Sequence, residues 1–386
     1  MRNRYVSWGA VLLVGLALPC SAALAQAPCT EPGGCVQQIK SDNTAYGTTA
    51  AEFLLIPAGA RGAALGGSFA ALVTDVTAVY FNPAGLAQLE RQGFYGSTMT
   101  YVADTKYSFG AVAFPFSGGS RAIGLSFTNF GFSDQTVYTV EDPDGLLGEV
   151  YSVAQVAIGL TYAQQLSDRF SAGFTAKFIN DRLGRVTGRA GAIDLGTNFH
   201  ATIGGRPIRA GFVIQNLGTT LRHTGSALDA LVLRQPPQGE QQISQEASIA
   251  SLKSKDWGLP VLFRVSLSYD VFATAASRLS MMGEFSQPNN TDPGFNVAGE
   301  YNLGLGGSGF SVAGRAGYTY APDNNLDPSA SLAGFESSVG GEGGDGFSAG
   351  GGIRYNKRGR GFGFDYAYRN LGVLGGVNMI SVGLSW

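Results

Sequence analysis

Two histidines, three cysteines and two glycine-rich hexads are the residues of this chain whose types could carry chemistry. A hydrolase would need His200 or His223 beside a serine and oriented by a third group, an arrangement defined by geometry and not by presence in a sequence. Two isolated histidines also fall short of a zinc site. GLGGSG at 304–309 and GEGGDG at 341–346 match the G-x-G-x-x-G spelling of a dinucleotide loop. That loop needs a strand before it and a helix after it, so that the helix N-terminus meets the pyrophosphate. Here the first hexad lies between two strand-like runs and the second in a loop-like run, so both read as turn formers. EDPDG at 141–145 offers oxygen ligands of the kind Ca²⁺ takes but not a full calcium loop, and it reads as a solvated turn. No catalytic, metal or cofactor residue is assigned, and the chain reads as a non-enzyme without a cofactor.

The cysteines belong with the N-terminus. Arg2 and Arg4 precede WGAVLLVGLALP, an apolar stretch too short to span a bilayer as a helix. SAALAQA then offers an Ala-x-Ala site, so residues 1–27 read as a signal peptide cleaved after Ala27. A retained anchor helix is the alternative. Cys20 falls before the cut, and Pro19 stands where lipidation would require a small residue. Cys29 and Cys35 remain, in PCTEPGGC. In an oxidising compartment they are a candidate disulfide. Two free thiols in a tail is the other reading, and with no histidine nearby metal binding is not favoured.

Only 14% of residues are charged, against about 25% in an average soluble domain. Mean hydropathy is nonetheless only +0.07, and no apolar run of helix-spanning length follows the signal segment. Many glycines, many Phe and Tyr, and little charge suit alternating strands with one lipid-facing side. A net charge of -2 without a basic run speaks against a nucleic-acid partner. In RFSAGFTAKF, Phe170, Ala172, Phe174, Ala176 and Phe178 alternate with Arg169, Ser171, Gly173, Thr175 and Lys177. VLFRVSLSYDV sets Arg264 and Asp270 opposite its apolar face, and FGFDYAYRN does the same with Asp365 and Arg369. Period two is the strand signature. In a barrel Arg169, Lys177, Arg264, Asp270, Asp365 and Arg369 face the lumen, where buried charge requires mutual pairing or contact with a plug.

Fourteen such segments can be marked: 94–103, 106–114, 121–132, 150–165, 169–183, 188–202, 206–217, 260–273, 277–287, 294–303, 309–320, 346–356, 359–370 and 376–386. The number is even, and the even-numbered connections are all short, whereas the long ones (133–149, 218–259 and 321–345) fall at odd positions. Short periplasmic turns and long external loops are the pattern of bacterial outer-membrane barrels. A soluble sandwich has no reason to sort its loops in this way. The expected fold is all-β: a 14-stranded antiparallel transmembrane outer-membrane β-barrel, residues 94–386, in contact with outer-membrane lipid. The chain ends NMISVGLSW, with Ile380, Val382, Leu384 and Trp386 on one apolar face. That ending resembles the recognition strand read by bacterial barrel-assembly machinery, a partner the chain would then need.

Residues 28–93 differ: they are rich in Ala and Leu and lack strict alternation. Asp75 can cap a short helix through residues 76–81. Asn82 then suits an N-cap and Pro83 the first helical position, where a missing N–H costs nothing. A compact helical segment ahead of a barrel is expected to fill the lumen as a plug, or hatch.

FLLIPAGARGAALGGSFAALVTDVTAVYFNPAGLA resembles the N-terminal signature of the PorV/PorQ family of outer-membrane proteins. The likeness continues through YSVAQVAIGLTYAQQLSDRFSAGFTAKFI, IRAGFVIQNLG and FGFDYAYRNLGVLGGVNMISVGLSW, over roughly residues 50–386. The family is similar to the FadL long-chain fatty-acid channels, fourteen-stranded barrels with an Asn-Pro-Ala element in the hatch. Asn82, Pro83 and Ala84, followed by Gly85, match that element. The resemblance implies a component of type IX secretion that docks or shuttles cargo bearing C-terminal signal domains, with the secretion translocon as a further partner. The alternative it implies is a FadL-like transporter that passes hydrophobic small molecules or lipid through the lumen and a lateral opening. The 218–259 loop, containing ALDALVLRQPPQGEQQ, offers an apolar patch to a partner or to the barrel mouth.

Overall fold

The computed structural model describes residues 47–140, 142–233, 247–291, 293–320 and 346–386. Residues 1–46, which hold the expected signal peptide and the candidate disulfide of Cys29 and Cys35, and the second glycine hexad up to residue 345 lie outside the described residues.

Fourteen strands close into one antiparallel barrel: β1 (Gly93–Thr100), β2 (Lys106–Phe116), β3 (Arg121–Thr136), β4 (Val150–Ser167), β5 (Phe170–Leu183), β6 (Val186–Ile203), β7 (Arg206–Gly218), β8 (Leu262–Ala273), β9 (Ser277–Pro288), β10 (Gly294–Gly304), β11 (Phe310–Tyr320), β12 (Phe347–Lys357), β13 (Arg360–Asn370) and β14 (Gly376–Ser385). β7 pairs with β8 across the longest connection, and β14 closes on β1 with Gly93 opposite Ser385 and Thr100 opposite Asn378. Closure satisfies every strand edge, the condition for spanning a bilayer with strands. The ladder runs round the whole circumference, with register shifts in the β3–β4, β4–β5, β6–β7 and β8–β9 pairs.

Period-two alternation decides which side chains meet lipid. Phe174 and Phe178 of β5 are about half exposed on the outer surface, whereas Ser171 and Thr175 of the same strand are buried inside. β13 repeats this with Phe362, Phe364, Tyr366 and Tyr368 outside and Asp365 and Ala367 inside. The expected strand positions all hold, with adjusted ends. β1 stops at Thr100 because residues Val102–Asp104 form a 3-10 turn, with Ala103 and Asp104 at positive φ. β8 starts at Leu262, just past Pro260, which has no N–H to give a ladder. Connections after the even strands span two to five residues, and the long ones share the opposite, outer end.

The described parts of the 219–261 connection, residues 219–233 and 247–261, carry structure of their own. Leu221 bridges Trp257, and Leu221 and Leu259 pack with Ala51, Phe53 and Leu54 over the outer mouth. From that base rises a hairpin, Asp229–Leu233 against Ala247–Ser251.

The segment before β1 lies inside the barrel. It enters at the outer mouth, where Ala50 N–H donates to Gly258 O at 2.9 Å. It descends through a 3-10 turn (Glu52–Leu55), α1 (Ala60–Ala64), α2 (Ala78–Phe81) and a second 3-10 turn (Pro83–Gln88) to the start of β1 at the short-turn end. Its apolar side chains Leu65, Phe69, Val73, Val79, Phe81 and Leu86 are fully buried. Each stabilises the packed state by about 1.5–3 kcal/mol relative to exposure, which offsets the poor stability of such short helices.

Candidate functional site

The Asn-Pro-Ala-Gly corner sits against β5 and β6. Asn82 is fully buried in extended geometry, and its Oδ1 accepts the Ala84 N–H at 3.1 Å. Its Nδ2 donates to Ala70 O at 2.9 Å and to Thr197 O of β6 at 3.1 Å. One amide therefore caps a helical turn, ties two plug segments together and bonds to the wall. Pro83 follows at the first helical position, in a 3-10 turn rather than an α-helix. Asp75 Oδ1 accepts the Thr77 N–H at 3.0 Å, and α2 begins at Ala78, two residues later than the sequence suggests. The wall makes room with glycine. A Cβ on Gly196 would lie 2.2 Å from Asn82 Oδ1, and one on Gly173 2.6 Å from Pro83 C.

A buried ionic seam fixes the other side of the plug to β10, β11 and β13. Arg61 of α1 donates through Nε to Glu300 Oε2 and through Nη2 to Oε1, both at 2.8 Å. Its Nη1 reaches Asp75 Oδ2 at 2.8 Å, and its guanidinium carbon lies 4.5 Å from the Phe69 ring centre. Arg315 pairs with Glu300 at 2.7 Å and with Asp365 at 2.6 Å. Burial opposes the charge on Arg61, but Glu300 and Asp75 outweigh it and hold the guanidinium above its ordinary pKa. For Asp75, burial pushes the carboxyl up, while Arg61, Arg354 and Thr77 together bring it below its ordinary value. Burial pushes the Tyr80 hydroxyl up to about 12, and it donates to Leu54 O at 3.1 Å. Arg61, Glu300 and Arg315 were not singled out in the sequence. Their only trace there is a charge at an inward position of an alternating run, or inside an apolar one.

The lumen charges that were singled out are mostly paired. Lys177 bonds Asp194 at 2.7 Å and Asn216 Oδ1 at 2.8 Å. Arg264 faces Glu284 at 3.6 Å, and Asp270 takes Arg209 at 3.1 Å. Arg169 does not face the lumen: β5 begins at Phe170, which leaves Arg169 exposed in the short turn before it. Arg369 faces the lumen without a hydrogen bond or ion pair to any described residue, and its Nε is buried.

The histidines stand near opposite ends of β6. The His200 N–H bonds to Arg169 O at the short-turn end, and His223 is paired opposite Gly188 at the outer end. At about 3.3 Å per residue the two are some 40 Å apart. His223 Nε2 lies 3.3 Å from Asp181 Oδ2, and Ser254 Oγ bonds the His223 backbone, so no Ser-His dyad forms there. The first glycine hexad is the β10–β11 turn, with Gly307 and Gly309 at positive φ. In the 141–145 stretch, the Asp142 carboxylate accepts the N–H groups of Leu146 and Leu147 at 2.9 and 2.8 Å and so closes a turn. Among the described residues no group of His, Cys, Asp and Glu could hold a metal ion. Ile380, Leu384 and Trp386 lie on the outer surface of β14 and its end, with Ser381 turned inward.

Two cavities remain between plug and wall at the outer end. One, of about 290 Å³, lies beside β1, β13 and β14 and includes Met99, Tyr101, Arg369, Leu371 and Met379 in its lining. The other, of about 490 Å³, is bounded by Phe53, Phe130, Asp181, His223 and Trp257. Glu52, Ile56 and Tyr101 border both.

A family model described as type IX secretion system protein PorV matches residues 39–230, the plug through β7 and into the long outer connection. No functionally curated protein matches the sequence. Among solved structures, the chain is similar to the Ralstonia pickettii toluene transporter TbuX, with 13% identity over 86% of this chain and 98% of that one and a TM-score of 0.46. It is similar also to the Pseudomonas putida toluene transporter TodX, with 8% identity over 89% and 97% of the two chains and a TM-score of 0.49. A Pseudomonas aeruginosa FadL homologue gives 11% identity over 85% and 98%, with a TM-score of 0.45.

Proposed function

The chain belongs to the PorV family of outer-membrane barrels, and from that premise we propose that it is a non-enzymatic component of type IX secretion that docks cargo carrying C-terminal signal domains at the cell surface. The family match carries this reading, since it spans the plug and half the barrel. The outer hairpin supplies a docking element. Leu231 and Ile249 are cross-strand partners, 74% and 76% exposed, on a two-stranded ribbon whose outer edges have no strand partner among the described residues. Apolar side chains beside free edges suit capture of an extended partner segment. Tyr138, Val140, Leu146 and Leu147 add exposed apolar surface on the 137–149 connection.

The test is capture of a purified type IX cargo signal domain by the full-length barrel in lipid nanodiscs. Capture by the native protein, reduced at least tenfold by Leu231→Ser with Ile249→Ser, is the expected result. No capture by a correctly assembled barrel would end the docking proposal. A second reading, passage of hydrophobic small molecules, draws on the cavities between plug and wall. Uptake of such molecules into vesicles carrying the barrel, without cargo capture, would favour it.

A further inference from the structure

We infer that the lipid-facing surface of the β5–β6 hairpin binds a phosphorylated glycolipid of the outer leaflet, whose phosphomonoester is held by Arg182, Arg185 and Arg189. The site lies on the outside of the wall, not in the lumen. It goes beyond the secretion reading and does not rest on it.

The register shows where lipid gives way to headgroups. The outward side chains of β5 run Phe174, Ala176 and Phe178, then Asn180 and Arg182. Those of β6 run Leu195, Ile193 and Gly191, then Arg189 and Thr187. Phe178 lies opposite Gly191, Asn180 opposite Arg189, and Arg182 opposite Thr187. Both strands therefore turn polar at one rung, about 7 Å along the strands from Phe178. Arg185 is exposed in the two-residue turn that joins them. The long connections share this end of the barrel, so the headgroups here belong to the outer leaflet.

Uncompensated charge carries the inference. Arg182 and Arg189 are diagonal neighbours on one face, about 7–8 Å apart, where an anion between two like charges relieves their repulsion. Neither they nor Arg185 has a carboxylate partner among the described residues. Asp181, the one carboxylate in residues 180–189, turns the other way, to Gln155 and His223. Neutral groups hold the two guanidiniums along the wall: Arg182 Nη2 donates to Ser152 Oγ at 3.3 Å, and Arg189 Nε to Asn180 Oδ1 at 3.4 Å. Most of their N–H groups stay free for an acceptor. The cluster is not a general feature of the rim. From β9 to β13 the outward side chains near the outer end, Gln287, Phe295, Tyr320, Phe347 and Tyr368, carry no charge.

Charge and position then select the ligand. A phosphomonoester brings close to two negative charges and three acceptor oxygens, which suits several guanidiniums. A phosphodiester headgroup brings only one charge. The cations begin one rung beyond Phe178, which is 51% exposed, with Ile193 on the next strand. Acyl chains packed on these side chains place a lipid's phosphate at the arginines, an anchor that a soluble anion lacks.

Native mass spectrometry of the full chain in zwitterionic detergent tests this with bisphosphorylated lipid A, fully dephosphorylated lipid A and phosphatidylglycerol. The phosphorylated glycolipid is expected to be retained roughly tenfold better than either of the others. Arg182→Gln with Arg189→Gln should abolish that preference, and Arg182→Lys with Arg189→Lys should keep part of it. Arg206→Gln with Arg360→Gln, the same change of charge at the short-turn end, should leave it intact. Glucose 1-phosphate, a phosphomonoester without acyl chains, should not displace the lipid at equal concentration. Equal retention of the three lipids, an unchanged preference in the Arg182→Gln, Arg189→Gln protein, its loss in the Arg206→Gln, Arg360→Gln protein, or displacement by glucose 1-phosphate would each overturn the inference. If a variant does not reach the compact, heat-modifiable form on gels, the lipid comparison on the native chain decides alone. Cargo capture, measured on the same preparation, is a separate readout, so failure of one proposal is not failure of the other.

Discussion

Arg61 and Glu300 join the plug to the barrel wall through a fork of two hydrogen bonds, both 2.8 Å long. The same carboxylate also takes Arg315, so one anion serves two guanidinium groups in a site closed to water. Glu300→Gln keeps the shape and removes the charge, leaving two buried cations with less compensation. Breaking a buried pair in this way costs about 3–5 kcal/mol. The expected outcome is a lower urea midpoint for the folded barrel and faster protease cleavage within residues 47–92. Arg61→Met should be non-additive with Glu300→Gln, because both changes remove the same contact. Additive effects would mean that the fork is not a clamp.

Acid should weaken the same seam at its second anion. The Asp75 carboxyl is held below its ordinary pKa in the folded state, where the ion pair to Arg61 and the bonds from Thr77 outweigh burial. A depressed carboxylate contributes stability that is fully present above the unfolded value of about 3.9 and is lost as pH falls through the lower folded value. Plug protection should thus stay flat from neutral pH to about 5 and decline only below about 4. Its side chain is about a third open to solvent, so salt should blunt the effect. Asp75→Asn should remove this part of the acid decline and be less stable than the native chain at neutral pH. A native plug that loosens already between pH 7 and 5 would contradict the assignment to Asp75.

The barrel was legible because period two is enforced at every position that touches lipid. Phe174, Leu267 and Phe364 must face out whatever the loops do, so the fourteen strands and the sorting of their connections appear in the sequence. The plug corner was legible for a different reason: Asn-Pro has few ways to enter a helical turn. The ionic seam was not. Glu300 and Arg315 face each other across the β10–β11 hairpin, but Arg61 is far from both in the chain, and only closure of the sheet brings β10, β11 and β13 round to α1. Arg169 shows the limit of alternation at a strand end, where one residue of register separates a lumen charge from a turn charge. The hairpin at Asp229–Leu233 and Ala247–Ser251 was hidden inside a long connection, because a short strand with a Ser-rich partner carries little periodic signal.

The Asn82 corner should respond to the wall as strongly as to its own side chain. Asn82→Ala removes three hydrogen bonds and strands the Ala70 carbonyl and the Ala84 N–H in a buried site. Each unsatisfied group costs about 1–3 kcal/mol. Gly196→Ala leaves Asn82 intact but places a methyl group 2.2 Å from its Oδ1, so the corner must move off β6. Both variants are expected to expose the plug to protease while the strands still form. Their combination should be less than additive, since the alanine at position 82 removes the tightest contact and leaves the Pro83 ring, with Cδ at 2.8 Å. Native-like protection in Gly196→Ala would show that the corner has slack that the packing does not suggest.

Trp386 allows assembly to be separated from stability. Its side chain is 48% exposed on the lipid-facing side, in line with Ile380 and Leu384, and only its N–H reaches the plug-to-β1 junction, at Gln92 O, 3.1 Å. Trp386→Ala keeps that backbone bond and the last rung, Gly93 opposite Ser385. A surface change of this kind is worth roughly 0.5 kcal/mol or less in the folded barrel. If the terminal aromatic is read by the assembly machinery, the fraction of heat-modifiable barrel in cell membranes should fall severalfold in the variant. Refolding of the purified chain into lipid vesicles, which needs no machinery, should be almost unchanged. A parallel loss in both measurements would mean that Trp386 acts through the fold, and the recognition role would then pass to the β14–β1 closure itself.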